Sequence, residues 1–120
     1  MPNRRLAGRL ILVVEDEPLI ALDVEKALRA AGAKVVAAGY LESALFTTEH
    51  PALSAAVVDL RLGDANSTSV CRRLRHLQVP FVVYTAYPAI LVAGEWPDVP
   101  VINKPARPED IVTTLASLLD

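Results

Sequence analysis

Five short apolar runs, Leu10–Val14, Lys34–Ala38, Ala55–Leu60, Phe81–Tyr84 and Val99–Ile102, constrain this chain more than any other feature. They are rich in valine and nearly continuous, with little of the polar alternation of a sheet that has one wet face. Runs of this kind read as strands buried on both faces of a parallel sheet, and parallel neighbours need a crossover element between them.

The intervals supply the crossovers. After Pro18, the residues Ile20, Val24, Ala27, Leu28 and Ala31 recur at helical spacing, and Gly32 stands where a C′ glycine ends a helix. A shorter pattern from Leu41 to Glu49 stops before Pro51. A third begins after Asn66 and Ser67, both good caps, and sets Val70, Leu74 and Leu77 on one face. The fourth interval, Pro88 to Asp98, contains Pro88, Gly94 and Pro97 and has room for two helical turns at most. The last opens on Pro108, Glu109 and Asp110 and continues through Ile111, Val112, Leu115, Leu118 and Leu119. Strand and helix alternating five times predict an α/β fold, a doubly wound parallel sheet with helices on both faces. A chain of 120 residues has room for one such domain, and with nothing after the fifth helix no output domain is expected.

Several classes of function are excluded on simple grounds. Arg4, Arg5 and Arg9 precede an apolar run, but it stops after five residues at Glu15-Asp16-Glu17, short of the roughly 7–15 residues of a secretory core. No run approaches the roughly 20 apolar residues that span a bilayer, so a soluble protein without membrane partners is expected. Twelve Lys and Arg against fourteen Asp and Glu give a net charge of −2, which offers nucleic acid no electrostatic attraction. The lone Cys71 forms no internal disulfide and fits a reducing, cytoplasmic setting. Cys71 reads as a partly buried small side chain, Trp96 as packing, and Arg72, Arg73 and Arg75 as a solvated face. His50 and His76 have no second ligand at metal spacing.

In an open α/β sheet, ligands bind beyond the carboxyl ends of the strands. There the chain carries Glu15, Asp16 and Glu17 after the first run, Asp59 near the end of the third, Thr85 after the fourth and Lys104-Pro105 after the fifth. One such residue is ordinarily a turn or cap. Four strand ends carrying them together point to a site. Two carboxylates about 4 Å apart repel by roughly 4 kcal/mol at an effective dielectric near 20, so a cluster needs a proton or a cation. All-oxygen ligands without His or Cys suit Mg²⁺, which also accepts phosphate oxygens. Lys104 offsets part of the repulsion and can hold a phosphoryl oxygen.

With these motifs, Val13-Val14-Glu15-Asp16-Glu17, Val57-Val58-Asp59-Leu60, Thr85 and Lys104-Pro105, the chain resembles the receiver domain of two-component response regulators. The similarity covers roughly residues 8–120, with residues 1–7 an N-terminal extension. The resemblance implies a flavodoxin-like strand order 2-1-3-4-5. It also implies a stand-alone receiver that takes a phosphoryl group onto Asp59 from a histidine kinase or phosphotransfer protein, and that signals to a downstream protein by contact. Asp16, Asp59 and the Arg61 backbone carbonyl are then the Mg²⁺ ligands, with Glu15 acting through a water. Lys104 neutralises phosphoryl charge and Thr85 donates to a phosphoryl oxygen. Slow self-dephosphorylation is the most enzymatic behaviour expected.

The chain departs from the family pattern in several places. Val101 stands where an aromatic is usual, three residues before the lysine. Val83-Tyr84-Thr85-Ala86-Tyr87 is similar to a receiver subfamily whose fourth strand ends in Phe-Ala-Thr-Gly, and Tyr87 is the candidate to replace that switch aromatic. The stretch Leu60–Ser67 lacks the usual Pro and late Gly, so the loop beside Asp59 is expected to be shaped differently. Alternative readings are a small Mg²⁺-dependent phosphohydrolase with an aspartate nucleophile and a pseudo-receiver that only binds partners. Against the hydrolase, Arg61 occupies the place of its usual second acid, and no residues are spare for a cap. Against the pseudo-receiver, all five site residues are present.

Overall fold

The computed structural model describes residues 4–120. In chain order its elements are β1 (Leu10–Val14), α1 (Pro18–Ala30), β2 (Lys34–Ala38), α2 (Leu41–Thr47), β3 (Ala55–Val58), the hairpin strands β4 (Arg61–Leu62) and β5 (Ala65–Asn66), α3 (Thr68–His76), β6 (Phe81–Thr85), α4 (Ala89–Glu95), β7 (Val101–Asn103) and α5 (Pro108–Leu119). The main sheet is parallel throughout and ordered β2-β1-β3-β6-β7, which is 2-1-3-4-5 once the hairpin is left out. No helix among the described residues is long and apolar enough to cross a membrane.

The continuous apolar runs have a direct structural cause. Successive side chains of a strand point to opposite faces. Ile11, Val13, Ala55, Val57, Val82 and Tyr84 pack with Val24 and Leu28 of α1 and Ile111 and Leu115 of α5. Their alternates, Leu12, Val14, Ala56, Val58, Phe81 and Val83, pack with Ala44, Val70, Leu74 and Val92 of α2, α3 and α4. Both faces are therefore dry, and neither set of positions tolerates a polar residue. The edge strand β2 is half exposed and shows it in Lys34.

Several boundaries differ from the sequence-based expectation. The third strand stops at Val58, leaving Asp59 just beyond it. The fourth extends to Thr85, and the fifth begins at Val101 because Pro100 has no N–H for the ladder. The second helix ends at Thr47, where the Thr48 hydroxyl donates back to Leu45 O. Leu77 is not on the buried face of α3: it is 40% exposed at the helix end, where the chain turns through Gln78 (φ 58°). Cys71 is fully rather than partly buried, because it faces the same core as Val70 and Leu74. The two-turn limit on the fourth helix matches the seven residues of α4.

The expected N-terminal extension begins with three residues that lie outside the described ones. Beyond them, Leu6 is fully buried in the core, and its N–H donates to Ala31 O at 2.9 Å. Gly32 makes this possible: it has φ +98°, and a Cβ there would come within 2.9 Å of Ala7 Cα. Arg9 completes the stitch by donating to Leu119 O at the end of α5, 3.1 Å away.

Candidate functional site

All five strands of a parallel sheet present their carboxyl ends at one rim, so polar residues placed after them converge whatever their separation in sequence. Glu15 and Asp16 follow β1, Asp59 follows β3, Thr85 ends β6, and Lys104 follows β7. Asp16, Asp59, Thr85 and Lys104 border a 410 Å³ cleft that Arg61, Gly63 and Tyr87 also line. Asp59 and Glu15 are about 95% removed from solvent, and Asp16 is exposed.

The Lys104 ammonium bridges two carboxylates. Nζ donates to Glu15 Oε1 at 2.6 Å and to Asp59 Oδ2 at 2.7 Å. Backbone N–H groups aim these two carboxylates and that of Asp16: Arg61 to Asp59 Oδ1 at 3.2 Å, Glu17 to Glu15 Oε2 at 3.1 Å, and Gly63 to Asp16 Oδ2 at 3.0 Å. The last bond belongs to the hairpin β4–β5, which turns at Gly63 with φ +61°. Two-residue strands leave no periodicity to read, so Gly63-Asp64 is the one sign of the hairpin in the sequence.

Ser67 is a good helix cap by residue type, but its hydroxyl makes no cap bond. It donates instead to Asp59 O at 2.6 Å, fully buried, and so holds the backbone of the acceptor candidate. No spacing rule marks a serine eight residues after an aspartate. Thr85, also fully buried, accepts the Tyr87 N–H on Oγ1 at 3.2 Å. Asn103, likewise missed in the sequence, donates from Nδ2 to Thr85 O at 3.3 Å and to Tyr87 O. The Tyr87 side chain is 41% exposed at the mouth of the cleft.

Charge and burial act together on these groups. Burial pushes the Glu15 carboxyl above its ordinary value. The bonds from Lys104 and the Glu17 N–H oppose the rise, and the nearby Asp59 charge adds to it. Burial alone works against the Lys104 ammonium, but the bonds to Asp59 and Glu15 outweigh it and hold Lys104 above its usual range. One oxygen each of Glu15, Asp16 and Asp59 lies within 4.8 Å of the others. At that separation each ionised pair repels by roughly 3–4 kcal/mol at an effective dielectric of 20, and a single ammonium does not balance three carboxylates. A cluster of hard oxygen donors with no nitrogen or sulfur fits a small divalent cation of the Mg²⁺ type.

The residues set aside in the sequence stay away from this rim. His50 Nδ1 accepts the Ala52 N–H. Arg75 pairs with Asp98 at 3.0 Å and lies over Trp96, 5.2 Å from its ring centroid. Trp96 itself is 8% exposed and packs edge-on against Phe81.

Comparison with known proteins bears directly on this arrangement. The family model of the response regulator receiver domain matches residues 11–116. The phyllosphere-induced regulator PhyR of Methylorubrum extorquens is 32% identical over 125 residues, covering 98% of this chain and 47% of PhyR. The chain spans about half the length of the curated relatives it matches. Among solved structures, SdrG of Sphingomonas melonis Fr1 is 34% identical with a TM-score of 0.80, over 93% of this chain and 97% of SdrG. The receiver domain of the sensor histidine kinase PA1611 of Pseudomonas aeruginosa PAO1, which holds a magnesium ion in its active-site cleft, is 26% identical. Its TM-score is 0.80, over 94% of this chain and 98% of that domain.

Proposed function

The chain belongs to the response regulator receiver domain family, and on that premise we propose that it is a phosphoacceptor whose reactive group is the Asp59 carboxylate. A carboxylate oxygen of Asp59 attacks the phosphorus of a phosphohistidine on a histidine kinase or phosphotransfer protein. The new O–P bond forms as the P–N bond breaks, and the histidine leaves with its electron pair and takes up a proton. The observation that carries this reading is Asp59 Oδ2 at 2.7 Å from the Lys104 ammonium, in a cluster of three carboxylates, two of them buried and Asp16 exposed, at a cleft mouth.

Each neighbour has a part in this step. Lys104 exchanges its bond to Asp59 for one to a phosphoryl oxygen and stabilises the charge that the transferring group spreads over its oxygens. Asp16, Asp59 and the Arg61 carbonyl would hold Mg²⁺, with Glu15 acting through a water. When bound, the ion supplies charge neutralisation on the phosphoryl oxygens. The magnesium in the cleft of the PA1611 receiver supports that assignment. The Thr85 hydroxyl, now paired with the Tyr87 N–H, turns to donate to the phosphoryl group, and Tyr87 follows it because the two share that bond. The output is contact with a downstream protein.

The test is phosphoryl labelling from a phosphohistidine donor, with Mg²⁺ and with EDTA. Stable, Mg²⁺-dependent label on the wild type and none on Asp59→Asn is the expected result. Labelling of Asp59→Asn at the wild-type rate overturns the assignment; continuous release of phosphate without stable label favours the hydrolase reading, and no label at all the pseudo-receiver.

A further inference from the structure

The aromatic residue in direct contact with the site lysine is Tyr84, which is buried, with 7% of its surface exposed, and lies one residue before Thr85. The Lys104 Nζ lies over its ring, 5.6 Å from the centroid and within range of a cation–π attraction. The register of the sheet creates this contact. Tyr84 pairs with Ile102 and Thr85 with Asn103, and the Lys104 N–H donates to Thr85 O at 2.9 Å. The lysine therefore leaves β7 directly beside the tyrosine. Tyr84 Oη also accepts the Ala106 N–H at 3.4 Å, on the far side of Pro105. The same ring belongs to the core between the sheet and α5, with Ile111, Val112 and Leu115.

An ammonium group carries three N–H bonds, and two are accounted for by Glu15 and Asp59. A buried ring face beside the same nitrogen limits where its flexible four-carbon stem can place it. We propose that Tyr84 is a positioning residue: its ring holds the Lys104 ammonium at Asp59 and ties that position to the packing of α5. For phosphoryl transfer this rests on the phosphoacceptor reading; the contact itself does not. A ring of this kind favours the cation without competing for the carboxylates, as a third acceptor would.

The test is a double-mutant cycle of Tyr84→Leu with Lys104→Met, read by urea unfolding in metal-free buffer, followed by labelling with a small acyl phosphate and Mg²⁺. Tyr84→Leu keeps apolar volume and removes the ring, whereas Tyr84→Phe keeps the ring and removes only Oη. If the ring acts through the ammonium, Tyr84→Leu lowers the folding equilibrium constant about 3- to 10-fold more with Lys104 present than with Met there. It slows labelling by a similar factor, whereas Tyr84→Phe labels within about 2-fold of wild type. Additivity in the cycle overturns the proposal, as does Tyr84→Phe slowing labelling as much as Tyr84→Leu. A coupled cycle with an unlabelled wild type overturns the phosphoacceptor reading and leaves the positioning contact standing. Should Tyr84→Leu fail to fold, Tyr84→Met, unbranched and adaptable in a core, takes its place in the same cycle.

Discussion

Lys104→Met probes the electrostatics of the rim, because methionine keeps an unbranched apolar stem and removes the ammonium with its charge and its N–H donors. Each ammonium–carboxylate contact, at 2.6 and 2.7 Å, corresponds to a Coulomb attraction of about 6 kcal/mol at an effective dielectric of 20. Most of this offsets the cost of taking the charges out of water, so the attraction is no measure of net stability. Removing one partner of a buried pair instead leaves the others uncompensated, at a cost of about 3–5 kcal/mol. That is the deficit expected for Lys104→Met at pH 7 without divalent ions. Its pH dependence follows from Glu15. Burial already raises that carboxyl above 4.5, and Lys104 pulls it down more than the Glu17 N–H does, so the variant raises it further. A carboxyl whose folded pKa lies above its unfolded one penalises the folded state at high pH and is relieved as pH falls through the folded value. The deficit is therefore full above the folded value and narrows as pH falls toward 4.5. Urea unfolding in EDTA between pH 5 and 8, followed by the fluorescence of the single Trp96, measures it. A deficit under about 1 kcal/mol, or one that stays constant across that range, refutes the reasoning.

Three further outcomes test other parts of the molecule. Leu6→Ala removes a fully buried side chain from the core that the sheet shares with α1 and α5, and is expected to cost about 2–5 kcal/mol in urea unfolding; no measurable loss means that the N-terminal turn is not part of the folded unit. The Cys71 thiol is pushed up to about 12 by burial, so at pH 8 it is expected to resist Ellman's reagent in the native protein and to react fully in urea. Because its folded pKa lies above the unfolded 9.0, its stabilising effect is lost as pH rises from 9.0 toward 12; rapid native reaction at pH 8 contradicts this burial. Tyr87→Ala removes an exposed ring while keeping the backbone bond to Thr85, so folding stability is expected to change by under about 0.5 kcal/mol while phosphorylation-dependent partner binding weakens. Unchanged binding shows that Tyr87 does not carry the switch.

Five valine-rich runs, the helical stripes between them, and the acids, threonine and lysine after the strands are local patterns, and local patterns survive in sequence. Residues such as Val13 and Val57 must be apolar because both faces of the sheet are covered, and that requirement is written into each run independently of its neighbours. Once the strands are parallel, their carboxyl ends share a rim, so convergence of Glu15, Asp16, Asp59, Thr85 and Lys104 follows from topology. What no local pattern encodes is which side chain meets which. The Ser67 hydroxyl could cap its own helix or reach Asp59, and the β4–β5 hairpin decides that it reaches Asp59. Tyr84 reads as an ordinary strand aromatic until the register with β7 sets Lys104 beside its ring. Leu6 reads as part of a tail until Gly32 opens room for the turn that buries it. Fold class and the members of the site thus follow from residue type and spacing, through burial and strand polarity. Contact distances follow from register and turn geometry, which only the assembled chain fixes, because short-range bonds depend on ångström placements that spacing in sequence does not carry.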